Sequence, residues 1–121
     1  MALTEARRTG EFILSEANGT RSREAVTIAA AAGALPAGTV MGKITASGKY
    51  VEYDNTVADG TEVAAGVLYA AVADSASDQP AVIIARDAEV ANVHLTWDAA
   101  NNAGAITAGK ADLAALGIIV R

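Results

Sequence analysis

The sequence predicts a mainly β fold: a β-rich α+β domain, compact and sandwich-like or barrel-like, with one short C-terminal helix and an extended N-terminal arm. From Glu24 onward, short runs of β-branched residues are separated by Gly, Pro, Asp, Asn and Ser, which is typical of strands and turns. Residues 1–23 have no sustained hydrophobic period. Residues 107–117 contain good helix formers and end in a glycine, which predicts the helix.

The arm is predicted over residues 1–23 and the β-rich domain over residues 24–121. The arm is rich in Arg, Glu, Thr, Ser and Gly, and its apolar residues cluster at Phe12, Ile13 and Leu14. Such a segment buries too little of its own surface to offset the entropy lost on ordering. We therefore expect the arm to stay mobile until a partner supplies the other surface, with these three residues as its anchor.

Seven short strands are predicted in the domain. In "AVTIA", Val26 and Ile28 share one face by alternation, which predicts a half-buried strand. Ser47-Gly48 is a plausible tight turn, so the strands on either side of it should form a hairpin. The predicted strands cover residues 25–29, 39–44, 49–53, 66–72, 81–85, 90–97 and 118–120.

The most polar loop, "DNTVADGTEV" at residues 54–63, precedes the most apolar strand, "GVLYAAV" at residues 66–72. Asp54-Asn55 and Asp59-Gly60 are turn-forming pairs, so we interpret the loop as a chain reversal and not as a reactive loop. The strand has apolar side chains on both faces. This predicts a central strand covered on each side, or one at a subunit contact.

Four apolar residues are the predicted core or subunit contacts. Three of them lie in the "GVLYAAV" strand, and the fourth is the single tryptophan, at the end of the predicted strand 90–97. A lone tryptophan in such a place is more often a core or interface anchor than a ligand-binding residue. The four residues are Val67, Leu68, Tyr69 and Trp97.

The predicted helix near the C-terminus has Thr107 as its candidate N-cap and Gly117 as its stop signal. The preceding stretch "DAANNAG" could add another helical turn, although Asn101, Asn102 and Gly104 disfavour it. One short helix is therefore expected.

The composition predicts a thin core. Hydrophobic residues make up 52% of the chain, but many are Ala, and the aromatic residues are one Phe, three Tyr and one Trp. Ala buries much less surface than Val, Ile or Leu, so we expect part of the stability to come from burial between subunits. The chain is therefore predicted to form an oligomer with itself.

Charge and residue usage exclude several classes of function. The net charge is −5, and the arm is slightly basic while the rest is acidic. An acidic body repels phosphate backbones, so nucleic-acid binding is not expected. There is no apolar run of the ~20 residues that a membrane span needs, no apolar signal-peptide core and no Cys. We expect an unexported protein, with no membrane partner, that tolerates a reducing cytosol.

No candidate catalytic, phosphate-binding or metal-binding motif has the residue spacing or the partner residues that its chemistry requires. His94 is the only histidine, and its neighbours in sequence offer neither a metal ligand pair nor a nucleophile. "GTVMGKI" has its glycines too close together for a phosphate loop, and Ile44 follows Lys43 where Ser or Thr is required. The loop at residues 54–63 lacks the oxygen donors and the glycine position of an EF-hand. No enzyme activity, metal or cofactor is predicted.

The order and spacing of several segments resemble a known family. These segments are "GALPAGTVMGKIT", "GKYVEYDNTVADGTEVAAGVLYAAV", "HLTWDAANNAG" and the closing "LGIIVR". Together they resemble the head decoration protein D family of lambda-like tailed phages, across residues 24–121. The region 49–72 carries the most specific part, with an aromatic strand, a polar loop and an apolar strand in succession.

The resemblance implies a small β-rich cement protein that forms homotrimers on the outer surface of the expanded phage capsid and stabilises it. It implies the major capsid protein as partner, location in the virion after synthesis in the host cytoplasm, and an arm that orders on the shell by strand pairing. By the same resemblance, the capsid-binding residues of the arm are Arg7, Arg8, Phe12, Ile13 and Leu14.

Two other classes of function remain open at the level of sequence. The chain is alternatively a phage virion accessory, or a glycan-binding adhesion module, with the same β-rich fold. Tyr residues and Trp97 grouped on one exposed face would favour glycan binding, whereas their burial would favour a cement role. A small hydrolase would need two converging carboxyl groups, or His94 beside a serine, in a cleft.

Overall fold

The computed structural model describes residues 7–121, and it confirms the mainly β fold with one C-terminal helix. The strands form two sheets, one of which is closed into a barrel. In chain order the elements are β1 (Ile13–Glu16), β2 (Arg23–Ile28), β3 (Val40–Lys43), β4 (Tyr50–Glu52), β5 (Ala64–Leu68), β6 (Gln79–Ile84), β7 (Ala88–Val90), a 3₁₀ turn (Asn92–His94), α1 (Ala103–Ala115) and β8 (Ile118–Val120).

Five strands close the barrel in the order β2-β4-β3-β5-β6. The predicted hairpin around Ser47-Gly48 is confirmed: β3 and β4 pair antiparallel, and the Ile44 amide donates to the Lys49 carbonyl at 2.8 Å. β2 and β4 pair in parallel through a single register position, which closes the barrel between strands that are distant in sequence.

The barrel interior is filled by one buried residue from each of its five strands, together with Leu35 and Ala85. We call this set the barrel cluster. Because side chains alternate along a strand, the neighbouring residue on β3, β5 and β6 faces the opposite side of the barrel wall. The strand residues of the barrel cluster are Ile28, Met41, Tyr50, Leu68 and Ile83.

A second group of buried residues, the outer cluster, lies outside the barrel wall. It is covered by α1 and by a three-stranded sheet in the order β1-β7-β8. β1 pairs with β7 antiparallel, and β7 pairs with β8 in parallel. The outer cluster consists of Phe12, Val40, Tyr53, Ala64, Val67, Ile84, Ala88, Val90, Leu95, Leu113 and Ile118.

The predicted strand at residues 90–97 is wrong over most of its length. β7 ends at Val90, and the chain turns through the 3₁₀ turn, in which the His94 amide donates to the Ala91 carbonyl at 3.0 Å. The turn buries Leu95 in the outer cluster and leaves Val93 75% exposed. The apolar character of this stretch therefore reflects one buried residue and one exposed residue, not a strand.

The predicted start of the helix is also wrong. The N-cap is Asn102, whose side-chain oxygen accepts a hydrogen bond from the Ala105 amide at 2.9 Å. Thr107 lies inside the helix, where its hydroxyl donates to the Ala103 carbonyl. The stop signal is confirmed: Gly117 has φ +84°, a left-handed conformation that ends helices and that side chains disfavour.

Candidate interaction surfaces

Phe12 lies in the core, although the sequence places it in the arm. Only 1% of it is exposed, and it packs in the outer cluster. The Gly10 amide donates to the Tyr69 carbonyl at 2.9 Å, and the Ala91 amide donates to the Phe12 carbonyl at 2.7 Å. The described part of the predicted arm, residues 7–23, is thus folded against the domain, because Phe12 finds apolar partners within its own chain. The division at residue 23 stays a prediction.

β1 was not predicted as a strand, because its alternation is interrupted by a bulge. Ile13 opposes Val90 and Ser15 opposes Glu89, which leaves Leu14 as the extra residue. Ile13 is half-buried against the outer cluster, whereas Leu14 is 55% exposed. The bulge therefore turns an apolar side chain out to solvent.

An ion pair and two exposed aliphatic residues lie on the solvent side of the three-stranded sheet. Arg121 Nη2 donates to Glu89 Oε1 at 2.9 Å, and Ser15 Oγ donates to Glu89 Oε2 at 3.1 Å. The arginine first, and then the hydroxyl, lower the pKa of the Glu89 carboxyl. Ile119, opposite Glu89 on β8, is 40% exposed. We call this surface the outer sheet face, formed by Leu14, Ser15, Glu89, Ile119 and Arg121.

Both outer strands of this sheet have one open edge. Within residues 7–121, β1 and β8 each pair with β7 alone. An open strand edge presents backbone amides and carbonyls that can pair with a strand from another chain.

The two arginines of the segment lie at its start. Arg7 Nη1 donates to His94 Nδ1 at 2.9 Å, and Arg7 Nη2 donates to the Val93 carbonyl at 3.1 Å. Arg8 is exposed, and its carbonyl accepts from the Glu11 amide at 3.1 Å. The structure thus holds Arg7 on the 3₁₀ turn.

Tyr69 is half-buried beneath the segment and does not stand out as an exposed aromatic. The Arg23 guanidinium lies over the Tyr69 ring, 4.3 Å from its centroid, and also pairs with the Glu16 carboxylate at 2.8 Å. Glu16 Oε2 and Arg23 Nε are both buried without a hydrogen-bond partner in the described structure. This cluster ties the end of β1 to the start of β2.

Val67 and Leu68 are both fully buried, on opposite sides of β5. Val67 belongs to the outer cluster and Leu68 to the barrel cluster. The strand is thus covered on both faces within a single chain, so these side chains contact their own chain's core.

Trp97 packs inside the chain against the helix. Its ring meets the Tyr53 ring edge-to-face at a centroid distance of 5.9 Å, and Gly109 of α1 lies so close that an added Cβ would be 2.6 Å from the Trp97 ring. The Tyr53 hydroxyl donates to the Ala105 carbonyl at 2.7 Å. Every aromatic residue is buried or half-buried, so the exposed aromatic group that would favour glycan binding does not occur.

The polar loop at residues 54–63 is closed by its own aspartates. Asp54 accepts hydrogen bonds from the Thr56 amide and hydroxyl, and Asp59 accepts the same pair from Thr61. The Thr61 hydroxyl is the main cause of the lowered pKa of Asp59. These hydrogen bonds stabilise turns, which is the role that the sequence indicates for the two aspartates.

Two amide contacts attach this loop to the elements around it. The backbone amide of Asn55 donates to the Asn101 side-chain oxygen at 2.9 Å. The Ala64 amide, just after the loop, donates to Asp112 Oδ2 of α1 at 3.0 Å. The sequence offers no signal for either contact, because both partners lie about 50 residues away along the chain.

Two carboxyl groups meet where β4 faces the stretch after Trp97. Burial raises the pKa of Glu52, and the neighbouring Asp98 raises it further. No group of three or more His, Cys, Asp or Glu side chains suited to a metal ion occurs among residues 7–121. In the same part of the chain, no helix combines the length and the apolar character that crossing a membrane requires.

These features define a class of protein: a small barrel domain with exposed aliphatic side chains and open strand edges that suit contact with another protein. The family model of the bacteriophage lambda head decoration protein D matches residues 2–118, so the chain belongs to that family. The match includes most of the predicted arm as well as the domain. No individual curated protein matches the chain significantly.

Membership of this family gives the chain a structural role in decorating the phage capsid, and places it on the virion capsid. The family is one of structural phage capsid decoration proteins.

Proposed function

We propose that the chain binds the outer surface of the expanded phage capsid as a homotrimer and stabilises that capsid. The observation that carries this proposal is the outer sheet face, with Leu14 exposed beside the open edge of β1. An exposed aliphatic residue next to an unpaired strand edge suits a partner that adds a strand and covers the side chain. The major capsid protein is the proposed partner.

The N-terminal segment divides into anchoring residues and contacting residues. Phe12 and Ile13 pack against the outer cluster, so their role is to hold β1 in place. Leu14 points to solvent, and Arg8 is exposed at the start of the segment. We infer that Leu14 and Arg8 contact the shell, and that Arg7 contributes after leaving His94.

Trimer formation would complete the burial that a single chain lacks. Val67 and Leu68 are enclosed within one chain, so the subunit contact must use other residues. Tyr69 and Trp97 are half-buried, so we propose that their exposed part contributes to the contact with a neighbouring subunit. The thin, Ala-rich core supports association as a source of further stability.

Mass action explains how such binding would stabilise the shell. A ligand that binds the expanded state and not the unexpanded state shifts the equilibrium toward the expanded state. Three N-terminal segments on one trimer raise the avidity beyond that of a single segment. The protein itself carries out no reaction in this scheme, and we propose that it is made in the host cytoplasm before it joins the capsid.

The experiment is co-sedimentation of the purified chain with expanded and unexpanded shells. Leu14→Asp places a charge on the outer sheet face without disturbing the core, and should weaken binding to expanded shells by at least about tenfold, which corresponds to roughly 1.4 kcal/mol. Val57→Asp is the matched control, because Val57 is 39% exposed in the polar loop. It should bind as the unmodified chain does.

Sedimentation velocity of the free protein reports the proposed trimer separately. Unchanged binding of Leu14→Asp to expanded shells would contradict the role of the outer sheet face. A monomer at micromolar concentration would contradict the trimer. A large deletion such as residues 2–20 is unsuitable here, because it would remove Phe12 from the core along with the contact residues.

A further inference from the structure

The start of the described chain is held to the domain by a contact that involves the only histidine. Arg7 Nη1 lies 2.9 Å from His94 Nδ1, in a half-buried position, and Arg7 Nη2 lies 3.1 Å from the Val93 carbonyl. These bonds join residues that are 87 and 86 positions apart in the sequence. They attach the N-terminal segment to the 3₁₀ turn after β7.

The chemistry of the two side chains fixes the protonation state that this contact requires. A guanidinium group has only donors, so Nδ1 of His94 must be the acceptor. A neutral imidazole with its proton on Nε2 satisfies this requirement. A protonated imidazole carries a proton on both nitrogens, so it cannot accept the bond. Its positive charge also repels the arginine at this distance.

Other charged groups lie on the elements around the turn. The N-terminal segment brings Arg8 and Glu11 in addition to Arg7. The Asn92 amide donates to the Arg121 carbonyl, and the Arg121 side chain is bonded to Glu89. Residues 35–39, which pack against His94 at Gly38, have no charged side chain. Asp98, further along the same stretch, meets Glu52.

We propose that Arg7 and His94 form a pH-dependent latch: neutral His94 holds the N-terminal segment on the domain, and protonated His94 releases it. Histidine is the side chain that ordinarily changes charge between pH 5 and 8. The biological consequence of the latch rests on the proposed function, because only a released segment would be free to contact a shell. The latch itself is a property of the isolated protein.

The test is an NMR titration of the ¹⁵N-labelled full chain, without capsids, from pH 8 to pH 5. The heteronuclear NOE values of Arg7, Arg8 and Thr9 should fall as pH falls, with the same midpoint as the His94 ring resonances. We expect the released population to rise by at least roughly tenfold, because two like charges at this distance repel each other by about that factor even in water.

Two variants make the result decisive. His94→Gln keeps a side-chain acceptor that does not titrate, so the NOE values should stay constant across the pH range. Arg7→Met removes the donor, so the segment should be mobile at every pH. The latch is overturned if the His94 ring titrates without a change at residues 7–9, if His94→Gln keeps the pH dependence of the unmodified chain, or if Arg7→Met stays ordered at pH 8.

Because shells are absent from this experiment, its failure is separate from a failure of the Leu14→Asp binding test. Loss of the latch would leave capsid binding through the outer sheet face untouched.

Discussion

The two apolar clusters of the molecule differ in how much of the chain each one draws on. The barrel cluster is built from residues 28–85, and each barrel strand contributes one side chain to it. The outer cluster spans residues 12–118 and needs the N-terminal segment, the helix and the last strand at once. The barrel is thus closed within one continuous stretch, whereas the outer cluster depends on both ends of the chain.

This difference explains why the N-terminal segment is a structural element in addition to the contact role that we propose for it. Phe12 completes the outer cluster, and Leu14, two residues further on, faces solvent. The two anchoring residues, Phe12 and Ile13, therefore come directly before Leu14, the exposed residue that we propose contacts a partner. A change at one position should affect folding, and a change at the next should affect binding.

The largest expected effect comes from breaking the outer cluster at Phe12. Phe12→Ala removes a fully buried ring and should lower the free energy of unfolding by about 3–5 kcal/mol, as measured by urea denaturation. Leu14→Ala is the matched control, and should change it by less than about 0.5 kcal/mol because Leu14 is exposed.

Hydrogen exchange tests whether the barrel cluster and the outer cluster unfold separately. In Phe12→Ala, the amides of β1 and β7 should lose more protection than those of β3 and β5. Equal loss in both sheets would show that the two clusters unfold as one unit.

An effect of intermediate size is expected where α1 packs against the outer cluster. In Gly109→Ala the new Cβ would lie 2.6 Å from the Trp97 ring and 3.0 Å from the Tyr53 ring. This overpacking should cost about 1–3 kcal/mol, in spite of the higher helix propensity of Ala.

Gly104→Ala is the control in the same helix. Its Cβ would meet only the Asn102 side-chain oxygen at 3.4 Å, so the substitution should be neutral or should stabilise the chain by up to about 1 kcal/mol. Thermal unfolding of both variants measures the difference. If Gly109→Ala were as stable as Gly104→Ala, the close packing of α1 on Trp97 would be disproved.

The smallest effect concerns the barrel wall, at Glu52. Burial and Asp98 raise the pKa of Glu52 in the folded state, so its contribution to stability is present at low pH and is lost as pH rises through the folded pKa. Glu52→Gln removes this loss and should stabilise the protein at pH 7, by no more than about 0.5 kcal/mol for a half-exposed position.

The pH dependence provides the check on this prediction. The advantage of Glu52→Gln over the unmodified chain should shrink as pH falls below the ordinary pKa of a glutamate, because the glutamate is then protonated in both states. A constant difference from pH 3 to pH 8 would mean that the substitution acts by packing and not by charge.

Several parts of this structure follow from local sequence pattern. The hairpin at Ser47-Gly48, the turn-forming aspartates of the polar loop and the glycine that ends α1 all depend on neighbouring residues. The doubly apolar character of "GVLYAAV" predicts burial on both faces, which Val67 and Leu68 confirm, but the predicted strand is wrong beyond Leu68, where β5 ends and Ala71 is exposed. The fold class and the resemblance to the decoration protein D family rest on these local signals and their order.

Two errors concern the start of α1 and the stretch 90–97. Thr107 has the residue type of an N-cap, but Asn102 takes that role, next to an Asn101 that bonds to Tyr53. The stretch 90–97 has the composition of a strand, but Leu95 turns into the outer cluster. Leu95 shares the outer cluster with Phe12 and Val40, which are distant in sequence, whereas the Asn102 cap itself is a local bond to the Ala105 amide.

The mainly β fold can be predicted from the sequence, because turn residues and side-chain alternation act over a few neighbours. The sheet of β1, β7 and β8, the burial of Phe12 and the contact between Arg7 and His94 are visible in the folded chain alone. Those contacts join segments that are far apart in the chain. Their free energy comes from burial and hydrogen bonding, and no pattern among neighbouring residues predicts which segments will meet.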